Sequence, residues 1–117
     1  MKKIAEWKMF GMYLLVLFLL VASHTAFSQV KVIHFNADFN SANDVVWFSK
    51  LKECGKQTLL IEQNDNQTKY EIAIVPTIVV FDDGEEVKRF QADISFKMVA
   101  TRKEVQEYID ELIISKF

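Results

Sequence analysis

The apolar residues of this chain fall into short runs that suit strands and one stripe at helical spacing. Val30 to Asn36 (Val-Lys-Val-Ile-His-Phe-Asn) is apolar at both parities apart from Lys31 and His34. That pattern predicts a strand covered on both faces. Thr77-Ile78-Val79-Val80-Phe81 is a β-branched and aromatic run, long enough for a buried strand and too short for a typical helix. Asp83-Gly84 supplies a tight hairpin, and Glu86 to Phe90 returns with alternating character. Thr58 to Glu62 predicts a further strand. In Ala92 to Ala100 the residues Ile94, Phe96 and Met98 alternate, so this stretch either extends the sheet or folds over an edge.

Helical signals fill the gaps between these runs. Asn36 to Asn43 is a polar loop, after which Ser41, Asn43 or Asp44 caps a helix reaching about Cys54, with Gly55 as its stop. Its apolar set is Val45, Val46, Phe48 and Leu51, with Trp47 to one side. Asn64-Asp65-Asn66 starts a short helix through Tyr70, capped by Asp65. Thr101-Arg102-Lys103-Glu104 is a capping box, followed by Val105, Tyr108, Ile109, Leu112 and Ile113 at helical spacing. The order β-α-β-α-β-β-α contains one parallel crossover pair and one hairpin. It predicts an α/β domain whose four-stranded mixed sheet carries helices on both faces.

The N-terminus stands apart from this pattern. Lys2, Lys3 and Lys8 precede an uncharged, mostly apolar run of 14 residues, Met9 to Ala22. Ala26-Phe27-Ser28 then places small residues at −3 and −1 of a cut before Gln29, which predicts a secretory signal peptide over residues 1–28. The run is short of the roughly 20 residues that span a bilayer, and the alternative is an uncleaved membrane anchor. Residues 29–117 then form one domain, exported to a periplasm or secreted, with the membrane a partner only if the leader stays attached. Setting aside Lys2, Lys3, Lys8 and Glu6, the chain's 14 basic and 16 acidic residues become 11 and 15, a net charge of −4. No basic patch emerges, so nucleic acid is not an expected partner. The single cysteine, Cys54, cannot form an internal disulfide.

Three stretches carry a family resemblance. Phe35-Asn36-Ala37-Asp38-Phe39-Asn40-Ser41-Ala42-Asn43 looks like the Phe-Trp-Ala-Glu-Trp-Cys-Gly-Pro-Cys of thioredoxins. Ile61-Glu62-Gln63-Asn64 through Lys69-Tyr70-Glu71-Ile72 is similar to their Asp-Gln-Asn and Lys-Tyr-Gly-Ile segment. Val75-Pro76-Thr77 to Gly84-Glu85 matches their Ile-Pro-Thr and Asn-Gly-Glu. The chain thus resembles the minimal thioredoxin core, without the extra N-terminal strand and helix, from about Val30 to Phe117. The resemblance implies a cis Val75–Pro76 bond facing the site, and a surface at Asn40 to Asn43 and Val75 that holds an extended peptide.

The departures from the family decide the expected chemistry. Asn40 and Asn43 occupy the places of the two cysteines, and His34 replaces the buried acid of the first strand. Thiol–disulfide exchange needs a thiolate and a second thiol to resolve the mixed disulfide, and an amide is neither. Cys54 falls at the far end of the first predicted helix, where the dipole disfavours an anion, and reads as a small buried residue. His34 reads as a core histidine satisfied by one hydrogen bond. His34, Asp38, Asn40 and Asn43 are too poor a donor set for a metal, and no cofactor is expected. The expectation is a redox-inactive module that binds a protein or extended peptide through Phe39, Asn40, Ser41, Ala42, Asn43, Val75 and Pro76, with Ala92 and Asp93 alongside. Its rivals are an oxidoreductase component acting through Cys54 or a partner's cysteine, and a membrane-anchored accessory domain.

Overall fold

The computed structural model describes residues 30–117, so the expectations for residues 1–28 lie outside the described residues. Four strands form one mixed sheet in the order β2-β1-β3-β4: β1 (Val30–Asn36), β2 (Gly55–Leu60), β3 (Thr77–Asp82) and β4 (Glu85–Gln91). β1 runs parallel to β2 and antiparallel to β3, and β3 runs antiparallel to β4. The predicted α/β class and four-stranded mixed sheet hold. β1 is buried at both parities except at Lys31, because each face meets its own core.

One face carries Val30, Val32, Ile78 and Val80 against Val105 and Ile109 of α2 (Arg102–Ile114), together with Val45, Phe48 and Leu51. The other carries Ile33, Phe35 and Val79 against Ile72 and Val75, with Ile61 and Tyr70 at its edge. This second face lies under the segment holding α1 (Asn66–Lys69). The expected short helix is this single turn. Asp65 does not cap it, because its backbone is left-handed (φ 56°) whereas a capping residue is extended. Asn66 anchors the turn instead, donating from Nδ2 to the Leu60 carbonyl at 2.9 Å.

The β3–β4 hairpin turns at Asp83 and Gly84, with φ of 53° and 85°. Positive φ at both central residues is the primed turn that matches strand twist. α2 begins as predicted: Thr101 Oγ1 accepts from the Glu104 backbone N–H at 3.2 Å. Tyr108 packs edge-on to Phe90 and donates to the Val87 carbonyl, which seats α2 over β4.

Two expectations fail between β1 and β2. No α-helix forms over residues 44–54; two 3₁₀ segments, Asp38–Asn43 and Phe48–Lys50, stand in its place. The backbone bonds run i to i−3, from Asp44 to Ser41, Phe48 to Val45, Lys50 to Trp47 and Leu51 to Phe48. The Asn40 carbonyl, which an α-helix would pair with the Asp44 N–H, accepts instead from Asn36 Nδ2 at 3.1 Å, a side-chain bond that competes with the helical one. The second failure is β2, which starts at Gly55 rather than Thr58, so Gly55 is no helix stop. β2 is an edge strand whose first four residues are exposed, and exposure left no apolar signal at its start.

Candidate functional site

Asn40 and Asn43, which the resemblance in sequence aligns with a cysteine pair, lie where the first 3₁₀ segment meets the end of β1 and the entrance to β3. Asn40 is only 5% exposed, and its amide is a hub. Nδ2 donates to Asn36 Oδ1 at 3.1 Å and to the Phe96 carbonyl at 3.0 Å, with the Val75 carbonyl at the outer limit of 3.5 Å. Its Oδ1 accepts from Asn43 Nδ2 at 2.8 Å. Asn36 completes the knot by donating to Asp44 Oδ1. Asn40 and Asn43 thus sit in a closed set of side-chain hydrogen bonds joining three segments distant in sequence.

The predicted site residues come together but divide by exposure. Asn40, Val75 and Pro76 are buried, Asn43 is half-buried, and Ser41, Ala42 and Phe39 face solvent. The Val75–Pro76 bond is cis. The α-helix start expected at Ser41, Asn43 or Asp44 is absent, since the segment is 3₁₀ and Asn40 within it is non-helical (φ −113°, ψ 20°). No macrodipole points at these positions.

Beside them opens an apolar groove of about 280 Å³ lined by Phe39, Ile61, Gln67, Ile72, Ile74, Val75 and Phe96, among others. Phe39 is 73% exposed and meets Phe96 edge to face, ring centroids 5.7 Å apart. Phe96 itself was not singled out in the sequence, where Ala92 and Asp93 of its loop were offered and Ile94, Phe96 and Met98 showed only as an alternation. Of the two readings of Ala92–Ala100, the stretch folds over the edge: Ala92 pairs with Met98, and Asp93 N–H donates to the Lys97 carbonyl. Asp93 Oδ1 gathers the Ser95 N–H and hydroxyl and the Lys97 N–H, which holds its carboxyl below the ordinary range. This turn fixes Phe96 at φ 63°, a left-handed conformation that is rare for a bulky residue. The strained residue is the one whose carbonyl meets Asn40 and whose ring borders the groove.

The remaining candidates take other places. Trp47 is half-buried and packs on the α2 face of the core. Cys54 lies in a bend before β2 instead of at a helix end. It is half-buried, and desolvation pushes its thiol up, although Lys56 pulls the other way. His34 is not satisfied as expected. Its Nδ1 reaches Thr58 Oγ1 only at 3.5 Å, and its buried Nε2 has no partner among the described residues.

No family model and no curated protein sequence matches the chain. Solved structures do. A mutant thioredoxin from Halobacterium salinarum aligns with TM-score 0.57 at 19% identity, over 72% of this chain and 74% of that one. The thioredoxin of Schistosoma mansoni gives TM-score 0.57 at 17% identity, over 80% and 85%. That of Plasmodium falciparum gives 0.55 at 12%, over 72% and 82%. The chain has the thioredoxin fold. At these identities the likeness concerns the fold alone, and what this thioredoxin-like domain does rests on its own residues.

Proposed function

We propose that this domain is an exported, non-catalytic module that binds a protein or an extended peptide in the groove between Phe39, Val75 and Phe96. The observation that carries it is the exposed Phe39–Phe96 pair beside that open apolar groove, next to asparagines that supply no thiol. An apolar rim of this kind anchors a partner's large side chain, while backbone near the β3 entrance aligns the extended chain. Asp38, Glu62, Glu71 and Asp93 flank the groove-lining stretches against Lys69 and Lys97, so a partner carrying Lys or Arg beside its apolar anchor fits best. Export is supported by the sequence pattern of residues 1–28. The rival oxidoreductase reading is disfavoured by the raised pKa of Cys54, since the thiolate is the nucleophile.

A library of extended peptides screened against the isotope-labelled protein tests this. Binding is expected at roughly micromolar strength, near −8 kcal/mol, weakening with added salt. Shift changes should centre on Phe39, Ser41, Ala42, Val75 and Phe96, and the double change Phe39→Ser with Phe96→Ser should abolish them. Perturbations confined to α2 would mean that the domain works through another face. Disulfide turnover lost on Cys54→Ala would replace the binding reading with the enzymatic one.

A further inference from the structure

Among the buried side chains described, His34 is the one that ionises near neutral pH. It sits at the centre of β1, paired in register with Thr58 on β2 and Ile78 on β3. It is 3% exposed, and its ring lies against Phe48 of the second 3₁₀ segment with centroids 5.3 Å apart. The neutral ring fits this place, because one nitrogen can stay unprotonated and ask for nothing beyond the weak Thr58 contact. An imidazolium has two N–H donors, and among the described residues the Nε2 side has no hydrogen-bond partner.

The charged groups around it do not resolve this. β2 presents the Thr58 hydroxyl, β3 presents Ile78, and Phe48 presents an apolar ring. Asp44 is the carboxylate whose field favours the charged ring, but burial outweighs it and keeps the pKa below 6.5. Asp44 is moreover engaged by Asn36, which also holds the Asn40 carbonyl. A proton on His34 therefore sets Asp44 in competition with the amide knot. β1 cannot yield, since it is paired along both edges. The 3₁₀ cover can, since it is held by i to i−3 bonds, the amide knot and the packing of Val45, Phe48 and Leu51.

We propose that His34 is an acid-operated latch: a proton taken from solvent onto its ring drives the Asp38–Leu51 cover off the sheet and dismantles the groove that Phe39 borders. The effect on ligand rests on the binding reading above; the latch itself does not. The folded ring is the weaker base, so the unfolded or opened chain binds more protons. Stability of the closed cover is complete above the ordinary histidine value of 6.5 and falls as pH drops below it.

The test uses Trp47, which adjoins Phe48, as reporter in the full chain with Trp7→Phe. Between about pH 8 and about pH 5 its emission should change reversibly, with far-UV circular dichroism unchanged. His34→Val should remove the change. Asp44→Asn, which leaves an oxygen for Asn36 to donate to, removes the field that favours the charged ring in the closed state and should move the midpoint to higher pH. Peptide binding should be lost over the same interval. A flat Trp47 profile, a change that survives His34→Val, or one that coincides with loss of far-UV signal overturns the latch. If His34→Val does not fold, NMR titration of the His34 ring decides; a ring titrating at the ordinary value without any Trp47 response refutes the proposal. A Trp47 transition with no peptide bound at any pH supports the latch and overturns the binding reading. A transition with peptide affinity unchanged overturns the regulatory link.

Discussion

The β3–β4–α2 half of the molecule and the Ala37–Cys54 span solve the same problem, covering one face of one sheet, by opposite means. In α2 the local signals agree. Thr101 and Glu104 close the first turn, and Val105 and Ile109 sit at the (i, i+4) spacing of one helical face with neither exposed at all. In the Ala37–Cys54 span they conflict. Asn40, Ser41, Asn43 and Asp44 crowd five positions with short polar side chains that compete for the backbone, and Val45 and Val46 are β-branched. Tertiary bonds then settle the matter, because Asn36 and Asn40 tie the segment to β1, to the Phe96 loop and to the entrance of β3. The helix is stabilised by regularity, and the cover by specific amide bonds. A clasp links them: Gln106 on α2 both accepts from the Lys52 N–H at 2.8 Å and donates to the Lys52 carbonyl at 3.0 Å.

The largest effect is expected where regularity rules. Ile109→Ala removes a fully buried side chain from the α2 face of the core and should cost about 3–4 kcal/mol in urea unfolding. A loss below about 1 kcal/mol would mean that α2 is not the principal cover. Asn40→Ala comes next, at about 2–3 kcal/mol, because it strands the Phe96 carbonyl and the Asn36 and Asn43 amides. Its signature should be local. Hydrogen exchange should quicken over Asp38–Leu51 and the Phe96 loop while α2 keeps its protection. Uniform acceleration over both regions would erase the distinction between them.

How much of this was legible follows the same division. The hairpin announced itself through Asp83-Gly84 between apolar runs, and α2 through its capping box, because those signals are local and nothing distant overrules them. β1 was legible from burial at both parities. The 3₁₀ cover was not, since its cause lies in Asn36, a polar residue ending an apolar strand, whose bonding depends on what the fold brings near. One sequence signal was present: Val45, Phe48 and Leu51 recur strictly every third residue, the 3₁₀ repeat, whereas the α-positions Ser49 and Lys52 are polar. For the site, Asn40, Asn43 and the Val75–Pro76 junction were placed by resemblance, and Phe39 by adjacency. Phe96 was not, because its position depends on a positive-φ turn held by Asp93, and an isolated aromatic in an alternating stretch does not reveal that.

The smallest expected effect discriminates most finely between the two modes of cover. Val45 and Val46 are adjacent and chemically identical, and the helical reading counted both in the apolar set facing the sheet. In the 3₁₀ arrangement they part company: Val45 is 8% exposed among Phe48 and Leu51, while Val46 is 84% exposed. Val46→Lys should therefore change stability by no more than about 0.5 kcal/mol, as for a surface position with no partner to lose. Val45→Lys should cost several times as much, because it drives an ammonium into an apolar cluster. An α-helix laid on the same sheet through Val45, Val46, Phe48 and Leu51 would make the two substitutions comparably severe. Chemical denaturation of the two variants side by side reads the difference directly. A cost above about 2 kcal/mol for Val46→Lys would restore the helix and remove the contrast between the two regions.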